Sequence, residues 1–317
     1  MILLLIQIAE DLILSHTSYI FDFYYYLSID EFIFYMFLKE IKIFLMHIRF
    51  PLQAYTLLGF LFGLLIGKIN FDYIVLLAFL SWFLLCAGIT VFNSYYDKDE
   101  KPVAGLKKPP KASKSMFYGS LSIQLTGFLI SLLINMTFTF FYILTFILTF
   151  LYSHKNFRLK SNGFIALFVN FLVGFNTFSA TISLNNNLIS ISNIFGAIGS
   201  GLFLVSVYLM MQVHQIIEDK NRKDISVAVK FGRKVTIILS LMFLILAGFS
   251  ITIAFYFSYL PKWILIMNII YFTSALVMLL SWMKQRFNND FNIMTKITNY
   301  LSYLGCIILL ILYFYFV

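Results

Sequence analysis

The chain has 317 residues, of which 61% are hydrophobic and 12% charged, with a formal net charge of +9 and a mean hydropathy of +0.89. A soluble two-domain protein of this length is excluded, because apolar runs of about 18 or more residues fill most of the chain and about 20 such residues span a bilayer. The runs do not alternate, which excludes a transmembrane β-barrel, and the basic residues are scattered over the connections, which suits lipid headgroups and topology rather than nucleic acid.

Residues 1–46 read as an N-terminal extension. Met1–Leu14 is apolar but carries Glu10 and Asp11 and lacks the basic start of a signal peptide. Ser28-Ile29-Asp30-Glu31 has the spacing of a capping box, and the stretch after it, to about His47, reads as an amphipathic helix lying along the membrane surface. Arg49 and Pro51 end it. Residues 47–317 then read as an all-α membrane bundle of nine spans: 51–67, 73–92, 117–136, 138–153, 163–183, 194–216, 236–257, 262–283 and 298–316. Cys86 and Cys306 fall inside spans and read as small buried apolar residues.

The connections alternate in charge. Lys98, Lys101, Lys107, Lys108, Lys111 and Lys114 follow the second span, and Lys155, Arg158 and Lys160 the fourth. Lys220, Arg222, Lys223, Lys230, Arg233 and Lys234 follow the sixth, and Lys284, Arg286 and Lys296 the eighth. The opposite connections hold only Lys68 and Lys262, with a neutral Asn185-Asn186-Asn187 turn. By the positive-inside rule the charged connections and the N-terminus are cytoplasmic and the C-terminus lies outside.

Two polar clusters therefore share one membrane face. The first is Asn93–Glu100, where Asn93 and Asp97 stand one helical turn apart. The second runs from Gln212 to Asp224, with Gln212, Gln215 and Asp219 at i, i+3 and i+7 forming one stripe if the helix continues. Carboxylates at a membrane edge usually mark a binding path or site. Their oxygen-only donor set suits magnesium, which binds one or two carboxylates together with phosphate oxygens and water, and lacks the His/Cys spacing of zinc. The two clusters are thus expected to face each other across a metal-bound phosphate, with magnesium neutralising charge on a departing diphosphate. The competing reading makes them solvated helix ends and topology-setting lysines. Tyr152-Ser153-His154 reads as an interfacial belt, His214 as a local partner of Glu218, and Asn170 and Asn176 as cavity-lining or inter-helix groups. The abundant Tyr and Phe would suit a cavity that shields a carbocation, though lipid-facing packing is the default for any one of them.

Nine spans with acidic motifs after the second and sixth resemble the UbiA superfamily of intramembrane prenyltransferases. Asn93 and Asp97 match the first and third named positions of that family's Asn-Asp-x-x-Asp-x-x-x-Asp motif; Ser94 and Lys101 stand at its other two, with Asp99 and Glu100 nearby. In the second motif Asp219 matches the second acid, Gln215 stands in place of the first, and Gly232 matches a terminal glycine; the Gln212–Asp224 string resembles a Gln-containing branch. The resemblance, over about residues 47–317, implies Mg²⁺-dependent transfer of a prenyl group from an isoprenyl diphosphate to a lipophilic, often aromatic, acceptor. It implies Asp97, Asp99 and Asp219 as metal-binding and catalytic residues, supported by Asn93, Gln212, Gln215 and Asp224. Lys107, Lys108, Arg158 and Lys160 are then candidates for the diphosphate oxygens. The alternatives are a non-aromatic acceptor (haem, a chlorin, a sugar or glycerol phosphate) and a non-catalytic prenyl-lipid-binding or transport protein.

Overall fold

The computed structural model describes residues 29–185, 189–285 and 290–317, and the regular elements among them are helical. Met1–Leu14, Ser28, Asn186, Asn187 and Arg286 lie outside the described residues. Contacts divide the chain after Leu45. The described part of the first unit is the body of helix α1 (Ile29–His47). The second unit, Met46–Val317, is a helical bundle.

Helix α2 (Phe50–Gly67) opens with a proline in its first turn, where a missing N–H costs nothing and the fixed φ is already helical. Helix α3 (Tyr73–Asp97) is capped by Asp72, whose carboxylate accepts from the Val75 N–H at 2.8 Å. Its 25 residues rise about 37 Å, more than the about 30 Å of hydrocarbon. The surplus length lets its last turns, with Asn93 and Asp97, stand clear of the apolar layer. Helix α4 (Lys114–Ser131) replaces the expected span 117–136, and α5 (Met136–Ser153) follows because Asn135 accepts the Phe138 N–H at 2.8 Å and restarts the helix. Gly88 is required where α3 meets α4: a Cβ there would stand 2.3 Å from the Gln124 side chain.

Helix α6 (Gly163–Ile182) is capped by Asn162 and α7 (Ile191–Val213) by Ser190. The expected continuous span 194–216 breaks at its end. His214 and Gln215 leave the helix, and the short α8 (Ile216–Asn221) follows as a separate helix. The Gln212–Gln215–Asp219 stripe is therefore divided between two helices. Helix α9 (Val227–Phe257) begins well before the expected 236 and kinks at Gly232, whose φ of 77° and ψ of 172° suit only glycine. Helix α10 (Trp263–Met283) leads to α11 (Asp290–Asn299), which continues through a π turn (Tyr300–Leu304) into α12 (Gly305–Phe316).

Among the described residues, eight of these rods are long and apolar enough to cross a membrane. The ninth, α4, matches α2 and α5 in length but carries Ser120, Ser122, Gln124 and Thr126. The loop after α3 also joins the bundle at its charged end. Val103 and Leu106 exchange backbone hydrogen bonds of 2.9 and 2.8 Å around Gly105, burying Val103 and Ala104. Ala104 packs into the cluster formed by Phe203, Val207, Met210 and Trp282.

Candidate functional site

The end of α3 gathers basic side chains from distant segments. Asp97 pairs with the Lys160 ammonium and lies 3.6 Å from Arg158. Asn93 accepts from Lys160 at 2.7 Å and from the Ser153 hydroxyl at 2.9 Å. Asp99, one residue beyond the helix cap, is bridged on one oxygen by Arg49 at 3.1 Å and on the other by Arg222. Arg49 also donates to Ser94 at 2.8 Å. Ser94, standing where an acid was expected by resemblance, thus helps to hold a guanidinium.

The second cluster is positioned by a close backbone crossing. The turn before α6 and the turn before α9 form a parallel bridge, with Gly163 N–H on Ile225 O at 2.9 Å and Ile225 N–H on Ser161 O at 2.8 Å. Gly163 permits the approach, since a Cβ would lie 2.8 Å from Val227 N. The crossing brings Arg158 against Asp224 in a bidentate pair of 2.9 and 2.8 Å, the strongest geometry for a guanidinium and a carboxylate. Asp219 accepts the Ser226 hydroxyl at 2.8 Å, and Glu218 binds Arg222 at 2.8 Å. Arg222 consequently joins the two clusters through Glu218 and Asp99.

A cavity of about 290 Å³ opens beneath, between α2, α3, α6, α7, α9, α10 and α12, and its walls are mostly apolar. Along α7 it reaches from Ser200 to Met211, about 16 Å at the helical rise. At its charged end Tyr208 accepts from the Tyr152 hydroxyl at 3.0 Å, and the Tyr152 ring lies 5.8 Å beneath the Lys160 ammonium. A hydrogen-bonded tyrosine pair therefore stands where the apolar chamber meets the ion cluster. With 20 tyrosines in the chain, sequence alone carries no signal for this pair; nor does it pair Arg49 with Arg222.

Burial raises the Asp219 carboxyl to about 6, against the Ser226 hydrogen bond and with Asp224 and Asp97 adding to the rise. Burial also pulls the Lys160 ammonium below the ordinary lysine range, with Asp97 opposing. Among the described residues no three His, Cys, Asp or Glu side chains are grouped to hold a metal by themselves. Magnesium does not require three; one or two carboxylates, completed by phosphate and water, suffice. Asp219 has one oxygen on Ser226 and no ion pair of its own, and it lies in the field of Asp97, so these two acids fit such an ion.

The remaining expected residues fall as follows. Gln212 is buried, accepts the Ala228 N–H at 3.3 Å and leaves its Nε2 without a partner. Gln215 sits at the break between α7 and α8. Lys107 and Lys108 are exposed on the loop and make no ion pair with the acidic cluster among the described residues. His214 is not bonded to Glu218: both ring nitrogens are unpaired, the ring packs 5.3 Å from Phe291, and burial pulls it down to about 4.

The model of the UbiA prenyltransferase family matches residues 56–300. Three solved structures share the fold. A UbiA homolog from Archaeoglobus fulgidus bound to GPP and Mg²⁺ is 17% identical, with a TM-score of 0.69, over 85% of this chain and 99% of that one. A UbiA homolog from Aeropyrum pernix K1, in its apo form, is 14% identical, with a TM-score of 0.59, over 81% and 97%. A digeranylgeranylglyceryl phosphate synthase is 19% identical, with a TM-score of 0.57, over 88% and 98%. No curated protein sequence matches the chain.

Proposed function

The chain belongs to the UbiA prenyltransferase family, and from that premise we propose that this integral, multi-pass membrane protein moves the prenyl group of an isoprenyl diphosphate to a lipophilic, aromatic acceptor. The observation that carries the reading is the junction of an apolar chamber of about 290 Å³ with a buried ion cluster at one end. A diphosphate with a hydrocarbon tail needs both halves, and few other ligands do. The neighbour that binds GPP and Mg²⁺ supports the same class of ligand.

In this reading the charged end, with the Asp97 and Asp219 motifs, faces the cytoplasm and holds the diphosphate. Arg49, Arg158, Lys160 and Arg222 bind its oxygens, while Asn93, Gln212, Gln215 and Asp224 hold these groups in register. Asp97 and Asp219 would hold magnesium, which would supply positive charge against the charge that builds on the leaving diphosphate. The prenyl tail lies in the chamber, whose apolar walls exclude water from the allylic carbon. The faces of Tyr208, Phe203 and Tyr271 stabilise positive charge there by cation–π attraction. An aromatic acceptor suits the same ring-lined chamber.

The test is turnover of radiolabelled isoprenyl diphosphate by the protein reconstituted in lipid vesicles with magnesium and a panel of acceptors. Asp97→Ala and Asp219→Ala are each expected to lower turnover by about 100-fold or more, the usual loss on removing a charge-stabilising group. Full turnover in both variants overturns the assignment. Tight binding of the diphosphate with no release of pyrophosphate by the wild type identifies a binding protein instead.

A further inference from the structure

The four aspartates of the two clusters differ in how their carboxylate oxygens are taken. Asp99 has both oxygens taken, one by Arg49 and one by Arg222, and its side chain is 3% exposed. Asp224 has both oxygens on Arg158. Asp97 places one oxygen against Lys160 and Arg158, and Asp219 places one on Ser226. Among the described residues the second oxygens of Asp97 and Asp219 carry no hydrogen bond or ion pair, and the two acids are linked through Arg158, which lies 3.6 Å from Asp97 and 2.8 Å from Asp224, whose N–H donates to the Asp219 carbonyl at 2.9 Å. Two buried donors of the cluster also lack partners: Arg49 Nε and Gln212 Nε2. Both residues are more than nine-tenths buried. Buried donors without acceptors are rare in folded proteins, and an anionic ligand is a natural acceptor for them.

We propose that this site takes its diphosphate with a single divalent cation, held between Asp97 and Asp219, and that the Arg49–Asp99–Arg222 bridge supplies the remaining positive charge to its oxygens. The inference rests on the function proposed above and assigns Asp99 a different part in it: a positioning residue rather than a metal ligand. Asp99 has no oxygen left for a cation, because Arg49 holds one and Arg222 the other, whereas Asp97 meets Lys160 and Arg158 through one oxygen alone. Two guanidinium groups already fixed by Asp99 keep further N–H donors free for phosphate oxygens, and Arg49 Nε is one such donor. Ser94 fits the same arrangement, because its hydroxyl steadies Arg49 where a carboxylate would have added another metal ligand.

The test is the number of Mn²⁺ ions bound per full-length chain in detergent, measured by electron paramagnetic resonance with geranyl thiolodiphosphate, an unreactive analogue, present at saturation. The expected result is one Mn²⁺ per chain, lost in Asp97→Asn and Asp219→Asn. In Asp99→Asn the one Mn²⁺ is expected to remain while the analogue binds at least tenfold more weakly, with Asp99→Glu restoring it. Two Mn²⁺ ions in the wild type, or loss of a Mn²⁺ in Asp99→Asn, overturns the inference and leaves the proposed function standing. No binding of the analogue at any Mn²⁺ concentration overturns both. The wild-type stoichiometry decides the matter even where a variant fails to fold.

Discussion

Two buried ion-paired regions lie at the charged end of the bundle, and they differ in completeness. In the first, Arg233 holds Asp290 through Nε at 2.9 Å and Nη2 at 2.8 Å, Trp282 donates to the same carboxylate at 2.8 Å, and Arg233 donates to Trp282 O at 3.0 Å. Both oxygens are satisfied, and both charged side chains are under a tenth exposed. In the second, around Asp97, Asp99, Asp219 and Asp224, one oxygen each of Asp97 and Asp219 and two buried donors are left open among the described residues, beside an apolar chamber. Burial and pairing are common to both. What separates a structural clamp from a binding site is the unfilled hydrogen-bonding capacity and the space next to it.

The comparison can be broken most directly at Arg233. Arg233→Ala strands Asp290 in a buried position and is expected to cost about 3–5 kcal/mol of stability, read as a lowered unfolding temperature in detergent. Turnover per folded molecule should stay within a few-fold of wild type. A loss of turnover much larger than the loss of folded protein would make the clamp part of the site.

His214 lies between the two regions, touching Phe291 and feeling both Asp290 and Arg49. Its pKa is about 4 in the folded chain against 6.5 for the free side chain. Between those values the unfolded chain binds the extra proton, so stability is full above about pH 6.5 and falls as the pH drops toward 4, by about 3 kcal/mol. Thermal unfolding of the wild type across that window should show the slope, and His214→Leu should lack it. An equal slope in the variant would trace the effect to the acid cluster instead.

The smallest expected effect sharpens the clamp. Gly232 adopts a conformation open only to glycine, yet a Cβ there meets nothing within 4 Å. Gly232→Ala is therefore expected to cost about 2 kcal/mol through backbone strain alone, visible in the unfolding temperature. A larger loss would mean that the kink aims Arg233 at Asp290 and that the two cannot be separated.

The spans were legible because hydrophobic runs of this length have one physical explanation, and the clustering of lysine and arginine in alternate connections follows from the same run. Family membership was legible through Asn93, Asp97 and Asp219. Other parts were not, for reasons that can be named. The break at His214 is invisible to spacing, because i, i+3 and i+7 form one stripe only while a helix continues. Helix α4 begins earlier than its apolar run suggests, at the Ser113 cap, and its buried Gln124 packs against Gly88 of α3. The partners of Asp99 lie 50 and 123 residues away, and no local pattern connects them.

That separation bears on how the protein is made. Arg49 precedes Asp99 in the chain, whereas Lys160 and Arg222 are synthesised long after Asp97 and Asp99 have left the ribosome. A nascent chain that has inserted α2 to α5 holds two carboxylates near the membrane edge with Arg49 as their only eventual partner already present. The first half of the bundle thus holds Asp97 without Arg158 and Lys160, and Asp99 without Arg222, until the segments after α5 arrive. Arg222 completes the ion-paired end while α9 to α12 are still to come, so a chain arrested before residue 222 lacks the link between Asp99 and Glu218.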